Sequence, residues 1–282
     1  MIARAAQRHF DAAANRLFYS TATNSTLNEE IIEHLRNKFA KFDRPNHLEY
    51  LASKHPDIAK LKRASILVPI SAKRLPNSSS FQTFYTLSKR TEQMSSFKGQ
   101  VCFVGGKKDN DETDVQTALR EGKEEIGIEA DQLTIVAQMC PLITFNRLLV
   151  TPIIAYFDKE KFRPKLSKEE VEYIFELQTE RFLDKRGHKS ELFKSEAGEY
   201  LVHYFSDKVI TLDEKQASCT RIAKTWGFTG FMCTLVSTVL HSRLPEFDLM
   251  PNSGKLDINN LNQFLEDFLV NKFNVTSSSK TN

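Results

Sequence analysis

The stretch Gly106 to Ile128, GKKDNDETDVQTALREGKEEIGI, decides how the chain folds. A glycine-led polar loop runs into a segment whose residues Val115, Ala118, Leu119, Gly122 and Ile126 recur at helical spacing, the buried stripe of an amphipathic helix. Either Thr113 or Asp114 can cap its start, and Gly127 suits its end. Glu121, Glu124 and Glu125 fall at i, i+3 and i+4, so at about 100° per residue they share one face, turned away from the stripe. Like charges at that spacing repel, and the cost rises where the face is covered, so a cation belongs there. An all-carboxylate set suits Mg²⁺ or Mn²⁺ far better than zinc.

Upstream, the apolar Val101 to Val104 reads as a strand feeding Gly105 and Gly106, a pair that lets the backbone turn and approach a ligand closely. Phe81 to Lys89 and Ala64 to Ile70 read as two further strands, separated by the turn residues Leu75 to Ser80. Asn28 to Phe42 has helical spacing, and His47 and His55 lie in a Pro-containing polar connection as surface residues. Downstream, Leu133 to Met139, Leu148 to Phe157 and Val171 to Leu177 read as strands, with a short helix over Thr179 to Leu183. Glu199 to Phe205 and Val209 to Leu212 look like strands near the edge of that sheet. Thr225 to Leu240 is a mostly apolar helix, too short and too rich in Thr and Gly to span a membrane; Asp257 to Phe273 is amphipathic, and VTSSSKTN forms a disordered tail.

The ends and the composition bound what the chain does. The first twenty residues, MIARAAQRHFDAAANRLFYS, set Arg4, Arg8 and Arg16 against one acid, Asp11, and lack the apolar run of a secretory signal. That composition reads as a mitochondrial transit peptide cut near Phe18 to Ser20, the alternative being an ordinary amphipathic helix. With 40% hydrophobic and 27% charged residues, the 282-residue chain has the composition of a soluble globular protein and no membrane class. A net charge of +3 gives no bulk argument for nucleic acid. Four scattered cysteines without a CxxC pair offer neither a zinc framework nor a disulfide one.

Gly106, then Glu112 after five residues, then seven residues and Arg120-Glu121-x-x-Glu124-Glu125-x-Gly127-Ile128, resembles the Nudix box. Gly122 departs from it, standing where that family has a larger apolar residue. The preceding stretch LSKRTEQMSSFKGQVCFVGG, residues 87–106, is similar to the pattern of the family's coenzyme A diphosphatase branch through Leu87, Arg90, Gly99, Phe103, Gly105 and Gly106. Ser95 replaces the second arginine of that pattern and Val104 its proline; Lys89 and Lys98 are near enough in sequence to compensate for the lost arginine. Thr225 to Thr229, TWGFT, resembles a later element of the family, and equally a helix start with a core tryptophan.

The resemblance implies an α/β Nudix fold, a mixed β-sheet sandwiched between helices (α/β/α), with N- and C-terminal helical extensions. It divides the chain into a transit peptide (1–20), an N-terminal helical segment (21–60), the hydrolase domain (61–245) and a C-terminal helix and tail (246–282). It implies a Mg²⁺- or Mn²⁺-dependent diphosphatase acting on a small molecule, coenzyme A or a derivative, or else on ADP-ribose or NADH, or a non-catalytic binding module on the same fold. Glu121, Glu124, Glu125 and the Gly106 carbonyl would hold metal; Arg120 would face away from that cluster by wheel angle, pairing with Glu112 or a box glutamate; Glu121 is the candidate ligand or base, though a base from outside the box stays open. Arg90, Lys89, Lys98, Gly99 and Gly105 would meet substrate. The location implied is mitochondrial, with peroxisome and cytoplasm as alternatives.

Overall fold

Lys62–Arg74 forms β1, the strand on which the rest of the sheet hangs. The computed structural model describes residues 26–94, 96–109, 111–144, 146–195, 198–211, 219–251 and 256–278. The apolar centre of β1 is continuous because both faces are covered: Val68 and Ile70 enter one core, Leu67 the other. Along one edge β7 (Leu148–Phe157) runs parallel, from Lys62 opposite Leu148 to Ile70 opposite Tyr156. Along the other edge β1 changes partner. Ala64 to Ile66 pair with β4 (Gly105–Lys107), and Ile70 to Arg74 pair with β2 (Phe81–Arg90), both antiparallel. In the gap between them the Leu67 N–H bonds the Val104 carbonyl at 2.9 Å. Two residues on, facing the same gap, is Pro69, which has no N–H to leave unpaired.

Four more strands complete this sheet. β3 (Val101–Cys102) and β8 (Val171–Gln178) pair with β2, while β5 (Leu133–Gln138) and β6 (Leu142–Ile143) pair with β7. The result is an eight-stranded mixed sheet. Helix α3 (Asp114–Ile126) packs on one face, with Val115, Ala118, Leu119 and Ile126 against Leu67, Ile153 and Phe157. Helices α1 (Thr26–Phe39) and α4 (Gly227–His241) pack on the other. The sheet is thus sandwiched between helices. At its margin α2 (His47–Lys54) and α5 (Leu261–Ser278) meet through Leu51, Ile143, Leu149 and Leu269. Within α4 the buried threonines are satisfied locally, Thr234 donating to the Gly230 carbonyl and Thr238 to that of Thr234, each at 2.9 Å.

Several expectations give way. Val101 to Val104 is not one strand, because the chain leaves β2 after Cys102 and joins β1 at Gly105. His47 is buried, opening α2 and stacking on Tyr50 with Nε2 3.4 Å from Glu266 of α5, so it belongs to no exposed connection. The two strands expected near the sheet edge are one, β10 (Gly198–Ile210). With β9 (His188–Ser195) and β11 (Thr220–Trp226) it forms a separate three-stranded antiparallel sheet. Thr225 and Trp226 end β11, and α4 begins only at Gly227, where φ of +60° turns the chain. At the C-terminus the helix runs on to Ser278, through the first half of the tail expected to be disordered. The transit segment, Ser95 and residues 279–282 lie outside the described residues.

Candidate active site

Helix α3 is fixed at both ends. Thr113 is its N-cap, its hydroxyl accepting the Gln116 N–H at 3.2 Å while the Gln116 side chain accepts the Thr113 N–H at 2.7 Å. Nη2 of Arg63 in β1 donates to both carboxylate oxygens of the buried Asp114, at 2.6 and 2.7 Å, and ties this turn to the sheet. At the other end Gly127 takes φ of +74°, and its N–H and that of Ile128 return to the carbonyls of Lys123 and Gly122 at 3.0 and 3.2 Å.

Arg120 gathers the acids. Its Nε lies 2.7 Å from Glu112 Oε1, and its Nη1 lies 2.8 Å from Glu121 and 3.0 Å from Glu124. Its Nη2 reaches Glu112 Oε2 and the Lys107 carbonyl, each at 3.2 Å. Arg120 therefore does not face away from the cluster as wheel angle implied; its long side chain folds back over it. The Arg120 guanidinium, with the Thr117 hydroxyl and the Asp109 N–H, holds the Glu112 carboxyl down at about 2. Glu121 presses on Gly106: a Cβ built there would stand 2.2 Å from its Oε1 and would displace that carboxylate. Gly105 is the more constrained of the two, its would-be Cβ 2.4 Å from the Ser65 backbone carbonyl of β1. Burial raises Glu121 above the ordinary carboxylate range despite Arg120.

Glu125 is the correction of most consequence. The acids do not all face away from the core, since Glu125 is 1% exposed and neither carboxylate oxygen has a hydrogen-bond partner. The Gly105 amide lies near it, outside hydrogen-bond geometry. Burial pushes the carboxyl up to about 8; Arg90 pulls against this, and Glu121 and Glu170 add to it. Arg90 of β2 reaches it with Nη1 at 3.5 Å and reaches Glu170 with Nη2 at 3.6 Å, leaving its buried Nε unbonded. Glu170 was missed by sequence reasoning. It arrives because residues 158–170 dock on the end of α3, where Lys165 N–H bonds the Ile126 carbonyl and Ser167 N–H bonds that of Glu125, each at 2.9 Å. No spacing in the sequence signals such docking.

The other residues expected at substrate fall elsewhere. Lys89 is held by Glu92 at 3.2 Å and Glu172 at 3.1 Å, apart from the acid cluster. Lys98 is exposed, and Gly99, with φ of +61°, lies against the Glu92 carboxylate. Among the described residues no three His, Cys, Asp or Glu side chains stand close enough together to hold an ion as placed, the carboxylates being drawn to Arg120 and Arg90. The donor chemistry nevertheless fits an oxygen-preferring divalent cation. Glu125 carries two unbonded buried oxygens, and Glu121 rests on the Gly106 backbone beside it.

A family model described as the NUDIX domain matches residues 82–197. The chain is 31% identical over 197 residues to Nudix hydrolase 15, mitochondrial, of Arabidopsis thaliana, covering 69% of this chain and 64% of that one. It thus spans less than two thirds of that relative's length. It is 24% identical over 224 residues to the peroxisomal coenzyme A diphosphatase NUDT7 of Mus musculus, covering 79% of this chain and 86% of that one. To the peroxisomal coenzyme A diphosphatase ndx-8 of Caenorhabditis elegans it is 31% identical over 172 residues, covering 59% and 65%. The matched residues run from β2 past β9 and take in α3, so this stretch of the chain resembles a Nudix domain.

Proposed function

We propose that the protein is a divalent-metal-dependent diphosphatase that cleaves coenzyme A or a derivative into 3′,5′-ADP and 4′-phosphopantetheine or its acylated form. The observation that carries the reading is the buried, unbonded Glu125 carboxylate set beside Glu121 and Arg120 on a helix capped at both ends. A divalent ion such as Mg²⁺ or Mn²⁺, if held there, would supply Lewis-acid chemistry toward a diphosphate and its attacking water. Glu121, Glu124, Glu125 and the Gly106 carbonyl are the groups to hold it. Glu112 fixes the Arg120 guanidinium from its far side, and Arg120 in turn orients Glu121 and Glu124. Arg90, set between Glu125 and Glu170, would offer a planar guanidinium to a phosphate. Glu121 and Glu170 are the candidates to accept a proton.

Coenzyme A is favoured by the Arg90-to-Gly106 segment and by the names of two of the relatives. Hydrolysis of ADP-ribose or NADH is the second reading, which the replacement of the pattern's proline by Val104 and of its second arginine by Ser95 supports. The Arg-rich start of the chain supports a mitochondrial location, with peroxisome or cytoplasm as alternatives. The protein is incubated with Mg²⁺ or Mn²⁺ and, separately, coenzyme A, acyl-coenzyme A, ADP-ribose and NADH, and the products are identified. We expect 3′,5′-ADP from the coenzyme A species; none from any of them removes the first reading.

A further inference from the structure

The three-stranded sheet has one covered edge and one open edge. At the covered edge β11 lies against β3 of the main sheet, while β9 at the other pairs only with β10, in an unbroken register from His188 to Ser195. Lys189, Ser190, Glu191, Leu192, Phe193 and Lys194 are all exposed, where a strand with a covered face buries every second residue. Leu192 is 48% and Phe193 53% exposed. Among the described residues, β9 makes one backbone hydrogen bond outside its pairing with β10, from the His188 N–H to the Lys185 carbonyl at 3.2 Å. An edge of this length with neither proline nor bulge is a template for another strand.

The sequence of β9 says which strand fits, because it is complementary to itself. Two copies related by a two-fold axis normal to the sheet pair antiparallel, and each residue then faces one an even number of places away. With the axis at Ser190, Lys189 faces Glu191 of the second copy and Glu191 faces its Lys189. One contact thus makes two ion pairs. Neither residue is in an ion pair among the described residues, Glu191 accepting only the Tyr204 hydroxyl at 3.3 Å. The same register sets the exposed Leu192 beside the second copy's His188, a ring already stacked on Phe247 with centroids 3.6 Å apart. It also brings Phe193 over Gly187, which has no side chain to collide with. Moving the axis one residue either way sets Lys189 or Glu191 against its own like charge.

We propose that the protein forms a reversible two-fold dimer in which the β9 strands of two chains pair antiparallel about Ser190, joining the two small sheets into one. The pairing covers few residues, so it falls at the small end of specific interfaces and its occupancy follows protein concentration. It is independent of the reaction proposed above, since Arg120 and the acids of α3 belong to the other sheet.

Sedimentation equilibrium from micromolar to millimolar protein should show monomer in exchange with dimer. Lys189→Glu and Glu191→Lys each turn two attractions into two repulsions and should weaken dimerisation by roughly tenfold or more, while the double exchange restores the native constant. Both side chains are exposed, so each variant should keep the native urea midpoint, which separates loss of the dimer from loss of the fold. Register is read by copper-phenanthroline oxidation in a Cys219→Ser background, which removes the exposed thiol. Ser190→Cys should form a disulfide-linked dimer, since residues facing each other across the axis have Cα atoms about 5 Å apart. Leu192→Cys, whose two copies stand roughly 14 Å apart in that register, should not. A protein that stays monomeric up to millimolar concentration, a dimer that ignores the single exchanges or is not restored by the double one, or cross-linking through Leu192→Cys in place of Ser190→Cys overturns this pairing.

Discussion

At the scale of single residues the site is a balance between Glu125 and the cations near it. Its carboxyl, ordinarily near 4.5, is pushed up to about 8 by burial. A carboxyl raised in the fold stabilises the native state below its unfolded pKa and loses that contribution as pH rises through the folded one. The metal-free protein should therefore lose stability between pH 4.5 and 8, by on the order of a few kcal/mol. Divalent cation should restore it. Glu125→Gln cannot ionise, so thermal unfolding of the chelator-treated variant should show a flatter pH profile over that window. Its turnover should fall by roughly 100-fold or more, because a carboxamide is a poor partner for the ion. A variant that turned over normally, or whose profile matched that of the native protein, would remove Glu125 from the proposed role.

At the scale of elements the same helix explains why Gly122 departs from the box pattern. A Cβ there would lie 2.8 Å from Leu67 Cδ2 and 3.1 Å from Ile128 Cγ2, so β1 and the helix's own exit already fill the place of a larger residue. Gly122→Leu should overpack this contact and lower the unfolding free energy by about 1–3 kcal/mol in urea titrations, against the roughly 1 kcal/mol gained in helix propensity. A stabilised variant would show that the contact yields. The features that set this helix were legible in the sequence: its apolar spacing, a capping threonine and a terminal glycine all act within a few residues. So were β2, β7 and β8, with strong runs of apolar and β-branched side chains. The small sheet was not, because none of the described side chains of β9 (HKSELFKS) is buried and β11 (TRIAKTW) buries only Ala223 and Thr225, so neither strand carries an apolar face to read. Its core face, His203, Phe205, Val209 and Ala223, becomes apparent only when β10 supplies the register. Glu125 escaped for a related reason: wheel angle places it on the acid face, but the loop before β8 folds over that part of the face and buries it.

At the scale of the whole molecule the C-terminal helix joins parts of the chain that no local pattern connects. Leu261 and Leu265 enter the main core, while Leu269 enters the cluster with Leu51, Ile58, Ile143 and Leu149. Glu266 accepts from Arg44 at 2.7 Å, and the Asn262 side chain donates to the Lys41 carbonyl at 2.6 Å, so α5 also staples the link between α1 and α2. Each fully buried leucine is worth about 1.5–3 kcal/mol, and losing three would remove a large share of the ~5–15 kcal/mol by which a domain is stable. Truncation after Leu256 should therefore lower the urea midpoint sharply or abolish a cooperative transition. It would leave Glu112, Arg120 and the acids of α3 in place. In whatever fraction stays folded, diphosphatase turnover should survive. A truncated protein with a native urea midpoint would mean that the two cores close without α5.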